Sequence, residues 1–283
     1  DIRPDTLNLD PARVEEKVTP RTRAIIAVDF AGHPCDLEPL LEIARAHRLI
    51  LIEDAAHALG AEYLHHPVGS QAHLATFSFH PVKSITTGEG GMVVTSDPGL
   101  AERATRFRNH GITSEASERF RSGEWHYEMV DLGFNYRLTD LQCALGSSQL
   151  RKLDRFLTRR EAIASRYRTA FAGLPGVTLQ AVLPHVRHAW HLFLALLDLG
   201  RLAADRRVIF SALRAEGIGV SVHYMPVYWH PYYQRLGYEK GLCPLAEAAS
   251  ERLLSLPLFP AMEDRDAEDV IAAVRKVLGH FCR

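Results

Sequence analysis

The residues of this chain that could carry chemistry gather between positions 54 and 91. The run FSFHPVKSITTGEGG, residues 77–91, places one amine, Lys83, in a short connector between two apolar, strand-like segments. Gly88, Gly90 and Gly91 follow it, around Glu89. Upstream, Asp54 closes the apolar run LILIED, His57 comes three residues later in EDAAHA, and Ser78 lies five residues before the lysine. Taken singly each has a bland reading: an acid at a strand end caps helices or joins ion pairs, His57 could be a satisfied core histidine, and Ser78 a plain strand hydroxyl. Together they meet the needs of a pyridoxal phosphate site. The lysine forms the Schiff base and later shuttles the proton, while the acid keeps the pyridine nitrogen protonated so that the ring can draw electrons. Ser78 and backbone amides take the phosphate, and the glycines let the backbone pass close to the cofactor. A lysine in this role must lose its charge near neutral pH, which desolvation favours.

The elements that must hold these groups read as a βαβ unit. TRAIIAVDF (22–30) and LILIED (49–54) are apolar runs of strand length, and between them DLEPLLEIARAHR (36–48) has helical spacing, with Asp36 placed to cap it. Strands apolar on both faces point to a parallel sheet covered by helices, where ligands sit at the carboxyl ends of the strands. HLATFSF and GGMVVTSD supply further strands, and DPGLAERATRFRNHG a helix that stops at Gly111. Residues 135–174 are helical and highly charged, broken or bent near Gly146, with Arg159 and Arg160 on a solvated face and without a function. Beyond them HAWHLFLALLD is expected as a strand, RRVIFSALRAEGIG as a helix, GVSVHYMPV as a strand and DRDAEDVIAAVRKVLGHF as a last helix.

With 283 residues, 47% of them hydrophobic, the chain can bury a sizeable core. A formal charge of −1 gives no global field toward nucleic acid or an anionic membrane. The basic residues of RKLDRFLTRR are interleaved with Asp154, so nucleic acid is not an expected partner. No run approaches the roughly 18 apolar residues of a membrane span. Four scattered cysteines without a CxxC pair fit buried thiols in a reducing cytoplasm. The 15 histidines include no HExxH spacing, and His65 and His66 fall in a turn-like stretch, so no metal site is expected.

IEDAAHALGAEY, FSFHPVKSITTGEGGMVVT and GFNYRLTDLQCALGSSQL together resemble the sugar aminotransferase family named after DegT, DnrJ, EryC and StrS, and VSVHYMPVYWHPYYQRLGY and LSLPLFPAM extend the likeness over nearly the whole chain. The resemblance implies the fold type I, aspartate aminotransferase-like architecture of pyridoxal phosphate enzymes. A large α/β domain over residues 1–155 is followed by a smaller α+β domain over 156–283. It implies that Lys83 holds the cofactor and Asp54 faces the pyridine nitrogen. His57 is then near the ring hydroxyl, and Ser78 binds the phosphate. Asn135 reaches the cofactor phosphate of a neighbouring subunit, so a homodimer with shared sites is expected. His223, Tyr224, Met225 and Pro226 meet the sugar nucleotide. Relatives that remove a hydroxyl carry histidine where Lys83 stands, so amine transfer is implied. WHYEMVDLGFNYRLTD looks most like the branch that aminates a UDP-4-keto-6-deoxy-N-acetylhexosamine in pseudaminic acid biosynthesis, with L-glutamate as donor. A dTDP- or GDP-linked 4-keto sugar or a UDP-4-keto-pentose is the alternative substrate. The chain starts at Asp1, and the family's phosphate-holding helix and loop with its stacking aromatic are expected upstream of this sequence; an inactive fragment of such an enzyme is therefore the other alternative.

Overall fold

The computed structural model describes residues 1–114 and 116–283. Strand β1 (Ala24–Val28), helix α1 (Leu37–His47) and strand β2 (Ile50–Asp54) form the expected unit, with β1 and β2 parallel and Val28 opposite Asp54. The first turn of α1 is not capped by the Asp36 side chain. That carboxylate instead accepts the Tyr63 hydroxyl at 2.5 Å, because Tyr63 is buried and its O–H needs a partner. Tyr63 belongs to a hairpin of β3 (Glu62–Tyr63) and β4 (His66–Pro67), whose turn residues Leu64 and His65 have positive φ. Strand β5 (Leu74–Ser78) lies parallel to β2, and β6 (Gly91–Val94) returns antiparallel, giving the order β1-β2-β5-β6. Helix α1 buries one face of this sheet through Leu37, Leu40 and Ala44 against Ile25, Ala27 and Leu51. The opposite face is open within this chain, where Ile26 is 62% exposed; the strands read as apolar on both faces, but α1 covers only one.

Helices α2 (Pro98–Arg108), α3 (Ala116–Ser122), α4 (Asp140–Leu150) and α5 (Leu153–Phe171) follow. Thr139 and Gln142 form a capping box that starts α4. The break expected at Gly146 falls instead at Arg151–Lys152. Gly146 continues the helix and allows close packing, since a Cβ there would lie 2.8 Å from the Thr87 Cγ2.

The C-terminal part sets β7 (Val177–Leu179), β9 (Phe193–Leu197) and β10 (Leu253–Leu256) in an antiparallel sheet of order β10-β9-β7, while β8 (Val186–Arg187) pairs with β3. Helices α6 (Arg206–Ala215) and α9 (Asp264–Phe281) pack with α5 around β9, and α7 (Pro231–Arg235) and α8 (Pro244–Arg252) lie between them in sequence. The stretch 219–227 does not form the expected strand. Only Ser221 bridges to Ser255; beyond it the Tyr224 carbonyl is taken by the Ser250 hydroxyl, and Pro226 has no N–H to continue a ladder. Among the described residues no helix is long and apolar enough to cross a membrane. Of the four cysteines only Cys35 is buried, so the expectation of four buried thiols does not hold.

Phe193 sits at the centre of the C-terminal core, 1% exposed, with its ring 4.9 Å from that of Tyr167 and 5.9 Å from that of Trp190. Phe193→Ala should cost about 3–5 kcal/mol of unfolding free energy, measured by urea denaturation, because it opens a cavity between fixed aromatic neighbours.

Candidate functional site

The site is built on the period of two in β2. Glu53 faces α1 and is fully buried, while the next residue, Asp54, faces the open side at the carboxyl end of the strand. Beneath Asp54, Glu53 meets Asp29, which ends the β1 run and is also fully buried. Asp29 Oδ1 accepts the Cys35 N–H at 2.8 Å and Glu53 Oε2 that of Gly69 at 2.7 Å. The remaining oxygens, Asp29 Oδ2 and Glu53 Oε1, have no other donor among the described residues. Burial, and then the Glu53 charge, push the Asp29 carboxyl well above its ordinary range, so Asp29 keeps a proton and shares it with Glu53. The Asp29 N–H donates to the Asp54 carbonyl at 3.0 Å, which fixes the backbone that carries the exposed acid. Asp54 Oδ1 accepts the Ala56 N–H at 3.1 Å.

Lys83 stands in the connector between β5 and β6, half-buried, and its ammonium makes no hydrogen bond or ion pair among the described residues. Burial lowers its proton affinity and the Asp54 charge partly restores it. Three histidines face the same charge. The His57 ring lies 4.3 Å from that of His191 and 6.4 Å from that of Tyr224, and His223 Nδ1 pairs with the Ser255 hydroxyl at 2.7 Å. Burial, then Lys83, holds His57 down to about 3. Burial, then the His57 and Lys83 charges, holds His191 down to about 2. His223 is lowered for the same two reasons as His57, burial first and then Lys83. All three are neutral at pH 7. His57 Nδ1 accepts the Ala31 N–H at 3.3 Å, so its proton is on Nε2. The turn Phe30–Gly32 that supplies this N–H passes between His57 and the chain at Trp190–His191. Gly32 has φ +98°, and a Cβ there would lie 3.0 Å from the backbone of all three residues, so only glycine fits the crossing.

The structure thus brings Asp54, His57, Lys83, His223 and Tyr224 to one place. Ser78, at the end of β5, accepts the His80 N–H at 3.4 Å. Met225 is 43% exposed beside Tyr224, and Pro226 begins a short 3-10 turn. Asn135 is not gathered with them; it is exposed and joined by its backbone to Asn109. The donor set fits pyridoxal phosphate: an unpartnered, half-buried amine, a carboxylate at a strand end and a serine hydroxyl five residues before the amine. Sequence reasoning missed three residues. Asp29 ends an apolar run just as Asp54 does, a parallel that could have found it. His191 carried no signal beyond its type. Arg160, read as solvated, is 4% exposed, and its Nη1 donates to the carbonyls of Trp190, His191 and Leu258 at 3.0, 3.2 and 2.9 Å. One charge-bearing position of α5 therefore faces inward.

The model of the DegT/DnrJ/EryC1/StrS aminotransferase family matches residues 1–275. The chain is 43% identical over 281 residues to the spore coat polysaccharide biosynthesis protein SpsC of Bacillus subtilis, covering 98% of this chain and 72% of that protein. Among solved structures, S. venezuelae DesV in complex with ketimine intermediate matches with a TM-score of 0.88 and 38% identity, over 97% of this chain and 70% of that one. Helicobacter pylori PseC, an aminotransferase involved in the biosynthesis of pseudoaminic acid, matches with a TM-score of 0.91 and 32% identity, over 99% and 73%. The fold is that of the fold type I enzymes dependent on pyridoxal phosphate.

The shared proton makes stability depend on pH in a defined direction. The folded chain keeps a proton on Asp29 that the unfolded chain releases above about pH 4. This contribution is full below that pH and is lost as pH rises toward the raised folded value. In Asp29→Asn the amide donates to Glu53 without a titrating proton. Relative to that variant, the wild type should lose unfolding free energy as pH rises above about 4, by up to ~1.4 kcal/mol per pH unit. The buried histidines, which lose stability as pH falls below about 6.5, contribute equally to both proteins and cancel. Parallel urea titrations with the same pH dependence in both would show that no proton is shared.

Proposed function

The chain belongs to the DegT/DnrJ/EryC1/StrS family of sugar aminotransferases that use pyridoxal phosphate, and on that premise we propose that it moves an amine from L-glutamate to the 4-keto carbon of a UDP-linked 6-deoxy-N-acetylhexosamine. The observation that carries the proposal is Lys83, an unpartnered amine of lowered proton affinity beside Asp54 and two neutral histidines in contact. The likeness to PseC supports the choice of sugar. The higher identities to SpsC and DesV favour the second reading, another nucleotide-linked 4-keto sugar.

Bound pyridoxal phosphate supplies an electron sink for the carbon that gives up its proton. Everything else is asked of side chains. Lys83 Nζ would hold the cofactor and, as the one amine at the site, would take and return the proton in both halves of the reaction, which run in opposite directions. Burial lowers the proton affinity of that amine, which favours its free base. Asp54 would keep the pyridine nitrogen protonated, and its carboxylate is steadied by the Ala56 N–H. His57 Nε2–H would serve the ring hydroxyl, and the His191 ring packs against His57 at 4.3 Å, tilted by 40°. Ser78 takes the phosphate. Tyr224 and Met225, exposed beside His57, meet the sugar nucleotide with His223 and Pro226.

A second copy of the chain completes the site through Asn135. The exposed Trp125, Leu132, Tyr136 and Leu141, close to it in sequence, support that reading, since large apolar side chains left open in one chain suit a partner surface. A division into a cofactor domain, 1–155, and a small domain, 156–283, accords with the separate cores around α1 and around β9. A cytoplasmic location accords with four unpaired cysteines.

The test is covalent labelling. Borohydride treatment of the protein with pyridoxal phosphate, followed by peptide mass spectrometry, should place the cofactor on Lys83. Lys83→Ala should remain folded by circular dichroism and carry no label; an equally labelled variant would sink the assignment. Asp54→Asn should keep the label but lose about 100-fold or more in turnover with L-glutamate and the UDP-4-keto sugar, and unchanged turnover would remove Asp54 from the mechanism.

A further inference from the structure

Two of the histidines near Lys83, His57 and His223, each spend Nδ1 on a hydrogen bond. For His57 the partner is the Ala31 N–H. For His223 it is a side chain, the Ser255 hydroxyl on β10, at 2.7 Å. Ser255 is 3% exposed and stands opposite the buried Leu194 of β9, so the C-terminal core fixes its place. Its backbone is bonded in both directions to Ser221, two residues before the histidine. The Ser255 N–H donates to the Ser221 carbonyl at 2.8 Å, and the Ser255 carbonyl accepts the Ser221 N–H at 3.1 Å. On the other side of the histidine, the Ser250 hydroxyl of α8 donates to the Tyr224 carbonyl at 2.9 Å. The dipeptide is thus strapped to β10 and α8, and His223 Nε2 bonds to nothing among the described residues.

The direction of the Ser255–His223 bond follows from the burial of the serine. A hydroxyl has one hydrogen to donate, and Ser255 Oγ has no other partner among the described residues. If it accepted from an Nδ1–H, its own hydrogen would be left buried without an acceptor, the costlier arrangement. The hydroxyl therefore donates to Nδ1, and the proton of the neutral imidazole is on Nε2. Lys83, His57, His191 and Tyr224 are the titratable groups around the ring, and none of them carries a negative charge at neutral pH. Nothing there favours a second proton on His223. In the opposite tautomer the Nε2 lone pair could accept from the Lys83 ammonium and stabilise its charge. We infer that Ser255 is a positioning residue that acts through His223: its hydroxyl keeps the histidine proton on Nε2 and thereby denies the Lys83 amine a hydrogen-bond acceptor. The inference deepens the reading of Lys83 as the reactive amine, since an amine left unpaired gives up its proton more readily.

Two measurements on the full chain, made without cofactor, test it. With the histidine ring nitrogens isotope-labelled, long-range proton–nitrogen correlation spectra at neutral pH should show the His223 proton on Nε2, the ring being assigned from its absence in His223→Phe. A proton on Nδ1 in the wild type overturns the inference, and this arm needs no variant of Ser255. Competitive acetylation read by peptide mass spectrometry then gives the pH at which Lys83 loses its proton. In Ser255→Ala that midpoint should rise by about one pH unit, the worth of one hydrogen bond to a charged group. Ser255→Thr, which keeps the hydroxyl, should restore it. In a His223→Phe background, Ser255→Ala should shift nothing; an equal rise there would show that the serine acts on the fold and not through the histidine. An unshifted midpoint in Ser255→Ala also defeats the inference. Borohydride labelling with pyridoxal phosphate keeps the two readings apart: an unlabelled wild type defeats the aminotransferase reading and leaves the Ser255 measurements standing.

Discussion

The proton shared by Asp29 and Glu53 underlies the placement of everything above it. Two fully buried carboxyls in contact cannot both ionise in a low-dielectric layer, so the register that sets Val28 against Asp54 is tenable only when one of them stays protonated. That register brings the Asp29 N–H to the Asp54 carbonyl and turns the Asp54 side chain to the open end of the sheet. The acid that functions and the acid that supports it are neighbours in sequence, and the pleat sends them to opposite faces.

Above the sheet the organising principle is desolvation. Lys83, His57, His191 and His223 share a region in which burial disfavours charge on each, the Lys83 charge lowers the three histidines further, and the Asp54 charge partly restores Lys83. Neutral imidazoles and an amine of lowered proton affinity are the result. Their positions depend on a contact between distant parts of the chain, the Phe30–Gly32 turn threaded past His57 and Trp190–His191 with no room for a Cβ. Arg160 clamps the same segment from α5 by binding the carbonyls of Trp190 and His191, so the helix that joins the two halves of the chain also fixes one wall of the site.

Much of the architecture was legible before any coordinates. The apolar runs at 22–30 and 49–54 and the helical spacing between them gave the parallel unit, and the acid, histidine, serine and lysine of the site were visible in their order and spacing. The misreadings have one cause, the competition of tertiary partners with local rules. Asp36 had the position of a cap, but the buried Tyr63 hydroxyl claimed it. Gly146 looked like a break, but the close approach of Thr87 made it a packing residue within a continuous helix. GVSVHYMPV alternates like a strand, but past Ser221 its backbone is engaged by the Ser250 side chain rather than by a neighbouring strand.

The sequence by itself determined which groups are available, Lys83, Asp54, His57 and Ser78, and the period-two and 3.6-residue patterns that carry them, because side-chain type and periodicity are local properties. Only the tertiary structure decided which of those groups lose their charge, that Asp29 holds a proton, and that Arg160 turns inward while Arg155 does not. Proton affinity and burial are set by neighbours far apart in the chain, Asp29 with Glu53 and Arg160 with Leu258, and no local pattern records which of them will meet.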